Sequence, residues 1–467
     1  MALTQDFKKS LYQSLYKITD GNATIAPEEL CCYAYDATNQ MFMPDVVVFP
    51  NSTDQVSEIL ALASNEGIFV IPRGSGSGMT GGSLAVNGGI VMAMGRMNQI
   101  LEIDCDNLVA RVEPGVITGE FHKAVESKGL FYPPDPASSS FCTLGGNLAE
   151  CAGGPKAVKY GVTRDYVLGL QAVLASGTVI RTGVRTAKGV AGYDLTRLIV
   201  GSEGTLAVVT EATLKLLPLP ESVKTMAVLF YTIDEAAEAV SAIIKESVVP
   251  RCVEFLDRSS IECVKDKFNT TLFNVDLLER IHAMLIIEVD GSNQVTQEDA
   301  QKIRDFCMSR GAAQVIIAAD SNQAKELWAA RKALSPAMFK IAPNKINEDI
   351  VVPISSIPEM VKRIEQIKKR TALSIVSFGH AGDGNIHCNI MYNRQNEDEQ
   401  RRAQSAMDEL FSHTLELGGT ITGEHGVGIT KIKYLPKEIR QNEMDIMKGI
   451  KKVFDPKNIL NPGKIFI

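Results

Sequence analysis

The chain has 467 residues, 45% hydrophobic and 22% charged, with 48 Lys+Arg against 55 Asp+Glu for a net charge of −7. That balance fits a globular protein of two or three domains and excludes disordered, fibrous and collagen-like chains. The acidic surplus argues against a general nucleic-acid binder, which needs a basic surface to displace counterions from phosphates.

In chain order, residues 1–40 read as an N-terminal helical segment, with a helix from about Thr4 to Tyr16 and a polar connector after it. Residues 44–74 read β-α-β: an apolar run at 46–49, the cap candidates Ser52, Thr53 and Asp54, a helical pattern at Val56, Ile59, Leu60 and Ala63, then a strand at 69–72. Residues 88–215 are rich in short strands and turns, and Leu217-Pro218-Leu219-Pro220 marks a domain boundary. Beyond it, strands alternate with helices predicted near 297–310, 328–338 and 358–370, and two strands near 373–392 follow. The expected class is α+β, with one domain at 41–220, an α+β domain with an antiparallel sheet at 221–410, and a C-terminal segment at 411–467. The N-terminal residues lack the apolar core of a signal peptide, and no apolar run approaches a membrane span. The 9 cysteines form no C-x-x-C, so reduced thiols and a cytoplasmic setting are expected.

Glycine is the informative residue. The run Pro72-Arg73-Gly74-Ser75-Gly76-Ser77-Gly78-Met79-Thr80-Gly81-Gly82 follows a predicted strand, and its backbone N–H groups can cradle a pyrophosphate. A formal G-x-G-x-x-G falls at Gly76, Gly78 and Gly81, but the residues after it leave no room for the helix a Rossmann fold needs, so that reading is rejected. A lone glycine loop is as readily a plain turn. The pattern continues, however, through Pro133-Pro134-Asp135-Pro136, Thr143-Leu144-Gly145-Gly146-Asn147, Ala152-Gly153-Gly154, Lys159-Tyr160-Gly161, Gly192-Tyr193-Asp194 and Gly201-Ser202-Glu203-Gly204-Thr205.

On these motifs the sequence resembles the vanillyl-alcohol-oxidase/p-cresol-methylhydroxylase flavoprotein superfamily, in the branch of glycolate oxidase, D-lactate dehydrogenase and D-2-hydroxyglutarate dehydrogenase subunits. The resemblance runs from about Leu30 to Ile467. It implies an FAD-binding domain of two lobes and a substrate (cap) domain. In it Arg73, Gly74, Ser75, Gly76, Ser77, Gly78, Pro134, Asp135, Ser138, Thr143, Gly145, Gly146, Gly154, Gly161, Glu203, Gly204 and Val209 contact FAD. Asn461, in the closing run 454–464, is expected to reach it too. Some members tether the flavin through a histidine; the glycine loop here has none, so non-covalent FAD is expected.

Of the 6 histidines, three sit in two polar stretches. Phe378-Gly379-His380-Ala381-Gly382-Asp383-Gly384-Asn385-Ile386-His387-Cys388-Asn389 reads as strand, turn and strand, with His387 and Asn389 on one face. The second stretch is Thr422-Gly423-Glu424-His425-Gly426-Val427-Gly428. Two imidazoles and a carboxylate form a three-ligand set with open positions, suited to zinc, iron or manganese, although two histidines beside a turn are equally compatible with a structural role. The resemblance implies that His380, His387 and Glu424 hold a divalent metal and that His425 is the general base. Arg331 and Ser335 share a helix face at i, i+4. Arg331 matches the family's carboxylate-binding arginine, with Ser335 and Asn389 expected beside the substrate. The family often has a lysine just before a strand near 349. Here Asn347-Glu348-Asp349 stands there and Lys345 reads as out of register, which favours a small monocarboxylate.

The implied reaction is oxidation of a small D-2-hydroxy acid, D-lactate first, by metal-assisted deprotonation at His425 and hydride transfer to the flavin. The chain has no iron–sulfur cysteine run or nicotinamide fingerprint, so a partner is expected to take the electrons. In this family the partner is an electron-transfer flavoprotein, in some bacterial lactate dehydrogenases one that bifurcates electrons to NAD and ferredoxin, or an iron–sulfur subunit. A glycolate oxidase subunit and a D-2-hydroxyglutarate dehydrogenase are the enzyme alternatives. A flavin protein that only carries electrons is the alternative of another class.

Overall fold

The computed structural model describes residues 4–246, 248–269 and 272–466. Residues 1–3 and 467, at the ends of the first and last expected segments, lie outside the described residues. The fold is α+β and divides into two compact units. One comprises Met1–Gly153, Val162–Leu219 and Glu424–Ile467, and the other Gly154–Gly161 and Pro220–Gly423. The chain thus leaves the first unit inside the Leu-Pro-Leu-Pro stretch and re-enters it at Glu424.

In the first unit, the helix Gln5–Ile18 is capped by Thr4, and the β-α-β block forms as its pattern dictates. Ser52 accepts the N–H of Gln55 at the start of helix Thr53–Glu66, and Gly67 ends it in the left-handed region at φ +67°. Val56, Ile59, Leu60 and Ala63, spaced for one helix face, are all 0% exposed and pack on the strands Val46–Val48 and Ile90–Ala93. Each of the larger three contributes about 1.5–3 kcal/mol by that burial. Val46–Val48 and Val70–Arg73 both pair parallel with Ile90–Ala93, which seats the glycine loop at the end of a buried strand. No helix follows over 74–89, in agreement with rejection of the Rossmann reading. A second sheet in this unit is antiparallel, in the order Ile100–Asp104, Val109–Val112, Val208–Lys215, Val167–Val173, Val179–Gly183.

The second unit is a seven-stranded sheet, antiparallel throughout. Its order is Ala312–Ile317, Ser222–Phe230, Ala283–Gly291, Cys252–Asp257, Ser374–His380, Asn385–Tyr392, Asn344–Val351. The helix predicted near 328–338 runs Ser321–Ala337, and its Leu327, Ala330 and Leu334 bury against Ala227, Leu229, Leu256, Ile286, Val376 and Phe378 of the sheet. Those sheet residues lie on one pleat face, so the helix stands over that face. No described helix is long and apolar enough to cross a membrane.

Candidate functional site

Within the first unit a cavity of about 480 Å³ opens on the glycine loop. Its wall includes Arg73, all of 74–78, Ser138, Thr143, Gly145, Gly146, Glu203, Gly204 and Val209 from the expected cofactor set, and Glu424 and His425 from the second motif. Thr143 caps the helix Leu144–Glu150 by accepting the Gly146 N–H at 3.2 Å, which turns that helix N-terminus to the cavity wall. Close backbone approach explains Gly145: a Cβ there would fall 2.6 Å from Pro114 Cβ and 2.9 Å from its carbonyl oxygen. Gly145→Ala is therefore expected to cost about 1–3 kcal/mol through overpacking and to lower the flavin-to-protein absorbance ratio. Gly95→Ala, which meets nothing within 4 Å, should change neither.

Some expected cofactor residues do other work. Arg73 is 5% exposed and braces the loop: its Nη2 donates to the Tyr35 carbonyl at 2.7 Å and its Nη1 to Ser83 Oγ at 3.2 Å. Asn461 is not in the wall; its amide donates to the carbonyls of Gly82 (2.7 Å) and Glu203 (2.8 Å) and ties the two segments together. Pro134 and Asp135 are also absent from the wall, and Gly154 and Gly161 belong to the second unit. The Glu203 carboxylate is spent on the N–H groups of Val427 (2.8 Å) and Gly428 (2.7 Å). Burial raises its pKa against those N–H groups and the charges of Lys464 and Lys431. Burial in turn lowers Lys464 to about 8.

Those two bonds hold the loop that carries His425. Thr80 holds it from the other side, its hydroxyl donating to the His425 carbonyl at 2.9 Å and its own carbonyl accepting the Ile429 N–H at 2.7 Å. Gly428, at φ +49°, is required there because a Cβ would sit 2.1 Å from the Thr80 oxygen. The imidazole of His425 is thus presented at the cavity wall by a backbone restrained on both flanks.

In the second unit the hairpin predicted around residues 380–387 forms, with strands Ser374–His380 and Asn385–Tyr392. The register pairs His380 with Asn385, Phe378 with His387 and Val376 with Asn389, so His380, His387 and Asn389 share one face. The two Nε2 atoms stand 3.4 Å apart, and both histidines are buried. Two nitrogens bound to one zinc-sized ion at about 2.0–2.1 Å in tetrahedral geometry stand about 3.3–3.4 Å apart, so the pair fits a divalent metal. Asn389 is 0% exposed; its Nδ2 donates to the Val376 carbonyl at 3.3 Å, while Oδ1 finds no partner among the described residues.

Arg331 arrives from helix Ser321–Ala337 and lies 4.5 Å from the Phe378 ring centre. Its Nε donates to Glu254 Oε2 at 2.6 Å, and the other oxygen of Glu254 is hydrogen-bonded to His380 Nδ1. Burial alone would raise the Glu254 pKa, but His380 and Arg331 hold it below the usual carboxylate range. Ser335 accepts from Lys345 Nζ at 2.9 Å. Strand Asn344–Val351 pairs Asn347 with Asn389, which puts Lys345 two residues away on the site face. The register argument against a second substrate carboxylate therefore does not hold. Two residues had no signal in the sequence. One is Glu254; the other is Asp349, paired with His387, whose carboxylate accepts the Gly423 N–H at 2.9 Å and the Thr422 hydroxyl at 3.1 Å.

Residues 219–465 match the family described as FAD linked oxidases, C-terminal domain, and residues 44–183 match the FAD binding domain. The chain is 46% identical over 467 residues to glycolate oxidase subunit GlcD of Bacillus subtilis, covering 99% of this chain and 97% of the relative. It is 35% identical over 425 residues to a D-lactate dehydrogenase of Anaerostipes hadrus, covering 90% and 89%. In fold it is similar to p-cresol methylhydroxylase with substrate bound, at TM-score 0.81 and 17% identity over 99% of this chain and 98% of the other. A 4-ethylphenol oxidase from Gulosibacter chungangensis gives 0.78 at 19% identity, over 100% and 98%. The glycine-walled cavity, the extent of both family matches and the full-length relatives lead to one conclusion: the chain belongs to the FAD-linked oxidases and is an FAD-dependent oxidoreductase.

Proposed function

We propose that the protein oxidises a small D-2-hydroxy acid, D-lactate first, to the 2-oxo acid. The observation that carries this is the cluster of Arg331, Glu254, His380 and His387 on one sheet face, a fixed cation beside paired imidazoles. A 2-hydroxy acid offers a carboxylate to the first and a hydroxyl to the second. In this reading Arg331 grips the carboxylate through its two Nη groups, because Nε is committed to Glu254. Asn389 accepts a substrate hydrogen bond through Oδ1, and Ser335 with Lys345 bounds the far side. His380, His387 and Glu424 hold the divalent metal. Glu424 directly follows Gly423, which Asp349 anchors at the rung of His387. His425 takes the hydroxyl proton on its imidazole. When bound, FAD supplies the two-electron acceptor and the metal a Lewis acid.

The proposed electron acceptor is an electron-transfer flavoprotein, with bifurcation to NAD and ferredoxin as its further form. Dye-free turnover with a purified electron-transfer flavoprotein, with and without NAD and ferredoxin, tests it. A second reading is glycolate oxidation with an iron–sulfur partner, favoured by the Bacillus subtilis relative named as a glycolate oxidase subunit. Anaerobic bleaching of the flavin band with D-lactate, L-lactate, glycolate and D-2-hydroxyglutarate decides among them. D-lactate should bleach it fastest. Faster bleaching by glycolate would favour the second reading, and no bleaching by any of the four would leave only an electron carrier.

A further inference from the structure

We propose that Glu254 is a positioning residue that locks the substrate-gripping arginine and a metal-binding histidine to each other through one carboxylate. The inference rests on the reading of Arg331, His380 and His387 given above. Glu254 sits in strand Cys252–Asp257, directly across from His380, and is 0% exposed. One of its oxygens takes Arg331 Nε at 2.6 Å and the other is bonded to His380 Nδ1.

Each bond settles an orientation. An ionised carboxylate only accepts hydrogen bonds, so His380 carries its proton on Nδ1 and presents the Nε2 lone pair toward His387 Nε2, 3.4 Å away. A carboxylate behind a ligand imidazole fixes its tautomer and ring plane and raises its basicity, and loss of such a partner typically weakens metal affinity about 10- to 100-fold. On the other side, the bond at Nε leaves both Nη groups in one plane, with Phe378 against the guanidinium at 4.5 Å. The arginine can then neither rotate nor slide along the sheet. A single side chain thus sets the distance between the carboxylate grip and the hydroxyl-binding pair, which is the spacing a 2-hydroxy acid must match.

The rival account is that Glu254 merely neutralises a partly buried arginine. Two variants separate the accounts. Glu254→Gln keeps shape but can accept from only one of its two partners. Glu254→Asp keeps the charge but is one methylene too short to span both. FAD-loaded full-length protein, stripped of divalent metal with chelator and dialysed, is titrated with Zn²⁺ alone, and KM and kcat for D-lactate are then measured after reloading. Both variants should bind Zn²⁺ at least 10-fold more weakly than the parent and raise KM more than they lower kcat, with the flavin spectrum unchanged. A Glu254→Asp protein with parental Zn²⁺ affinity and KM would leave charge neutralisation alone and overturn the proposal. His387→Ala keeps failure of the underlying reading distinct. If it abolishes Zn²⁺ binding while the Glu254 variants bind normally, only the role of Glu254 is lost. If the parent binds no Zn²⁺, or His387→Ala binds as the parent does, the metal reading and this inference fall together.

Discussion

Replacing His425 with Asn is expected to lower kcat for the 2-hydroxy acid by roughly 10²- to 10⁴-fold, the span of a general base removed, while FAD remains bound and KM moves little. The separation of these effects follows from how the loop is held. Three of its restraints are made to the loop backbone: Thr80 to the carbonyl of residue 425, and Glu203 to the N–H groups of Val427 and Gly428. None uses the imidazole, so the substitution leaves the loop path and the cavity wall in place. Asn has no group that accepts a proton near neutral pH, and so removes the chemistry without removing the scaffold. Steady-state kinetics beside a flavin absorbance ratio reads both quantities at once. Full turnover in a protein with parental flavin content would take the base role away from His425. A loss of flavin together with activity would instead mean that His425 supports the cavity wall.

The parts of the site that were legible in the sequence are those where one local pattern carries one physical demand. The 74–78 loop is legible because only glycine-rich backbone can approach a ligand so closely, and the hairpin because period-two strands flank a Gly/Asp/Asn turn. His387 and Asn389 could be placed on one face from that alone, while the register that adds His380 to that face had to be observed. Glu254 could not be placed. It lies 126 residues before His380 and meets it only through the pairing of strand Cys252–Asp257 with Ser374–His380, a register no single-sequence pattern encodes. Lys345 shows the same limit from the other side. A one-residue slip flips a strand's side chains to the opposite face, and the observed register puts Lys345 on the face with Asn347. Arg73 stands in the cavity wall among the expected cofactor contacts, but nothing nearby in the sequence announces that its guanidinium also reaches the carbonyl of Tyr35, 38 residues earlier. Gly154 and Gly161 fit the glycine texture of the cofactor region, yet the chain carries them into the other unit.

Arg331→Lys should lower kcat/KM for D-lactate by about 2–4 kcal/mol, roughly 30- to 1,000-fold, the loss of one or two hydrogen bonds to a charged group. The guanidinium has two jobs that a lysine cannot share. Its Nε is bound to buried Glu254, and its Nη pair offers the planar fork that a carboxylate meets with two parallel bonds. An ammonium on a shorter reach must either stay with Glu254 and lose the substrate, or turn to the substrate and leave Glu254 to His380 alone. Most of the loss should appear in KM, since the grip acts on the bound acid before and during reaction alike. Stability is the control. Lysine keeps a cation near Glu254, so Arg331→Lys should lower Tm only slightly. Arg331→Met strands a carboxylate that is 0% exposed and should cost about 3–5 kcal/mol of fold stability. If Arg331→Lys matches the parent in kcat/KM for D-lactate, Arg331 does not bind the substrate carboxylate, and the cation must be sought elsewhere on the same face, with Lys345 the next to test. If instead Arg331→Met is as stable as the parent, Glu254 does not need the arginine as its counter-charge, and His380 alone satisfies it.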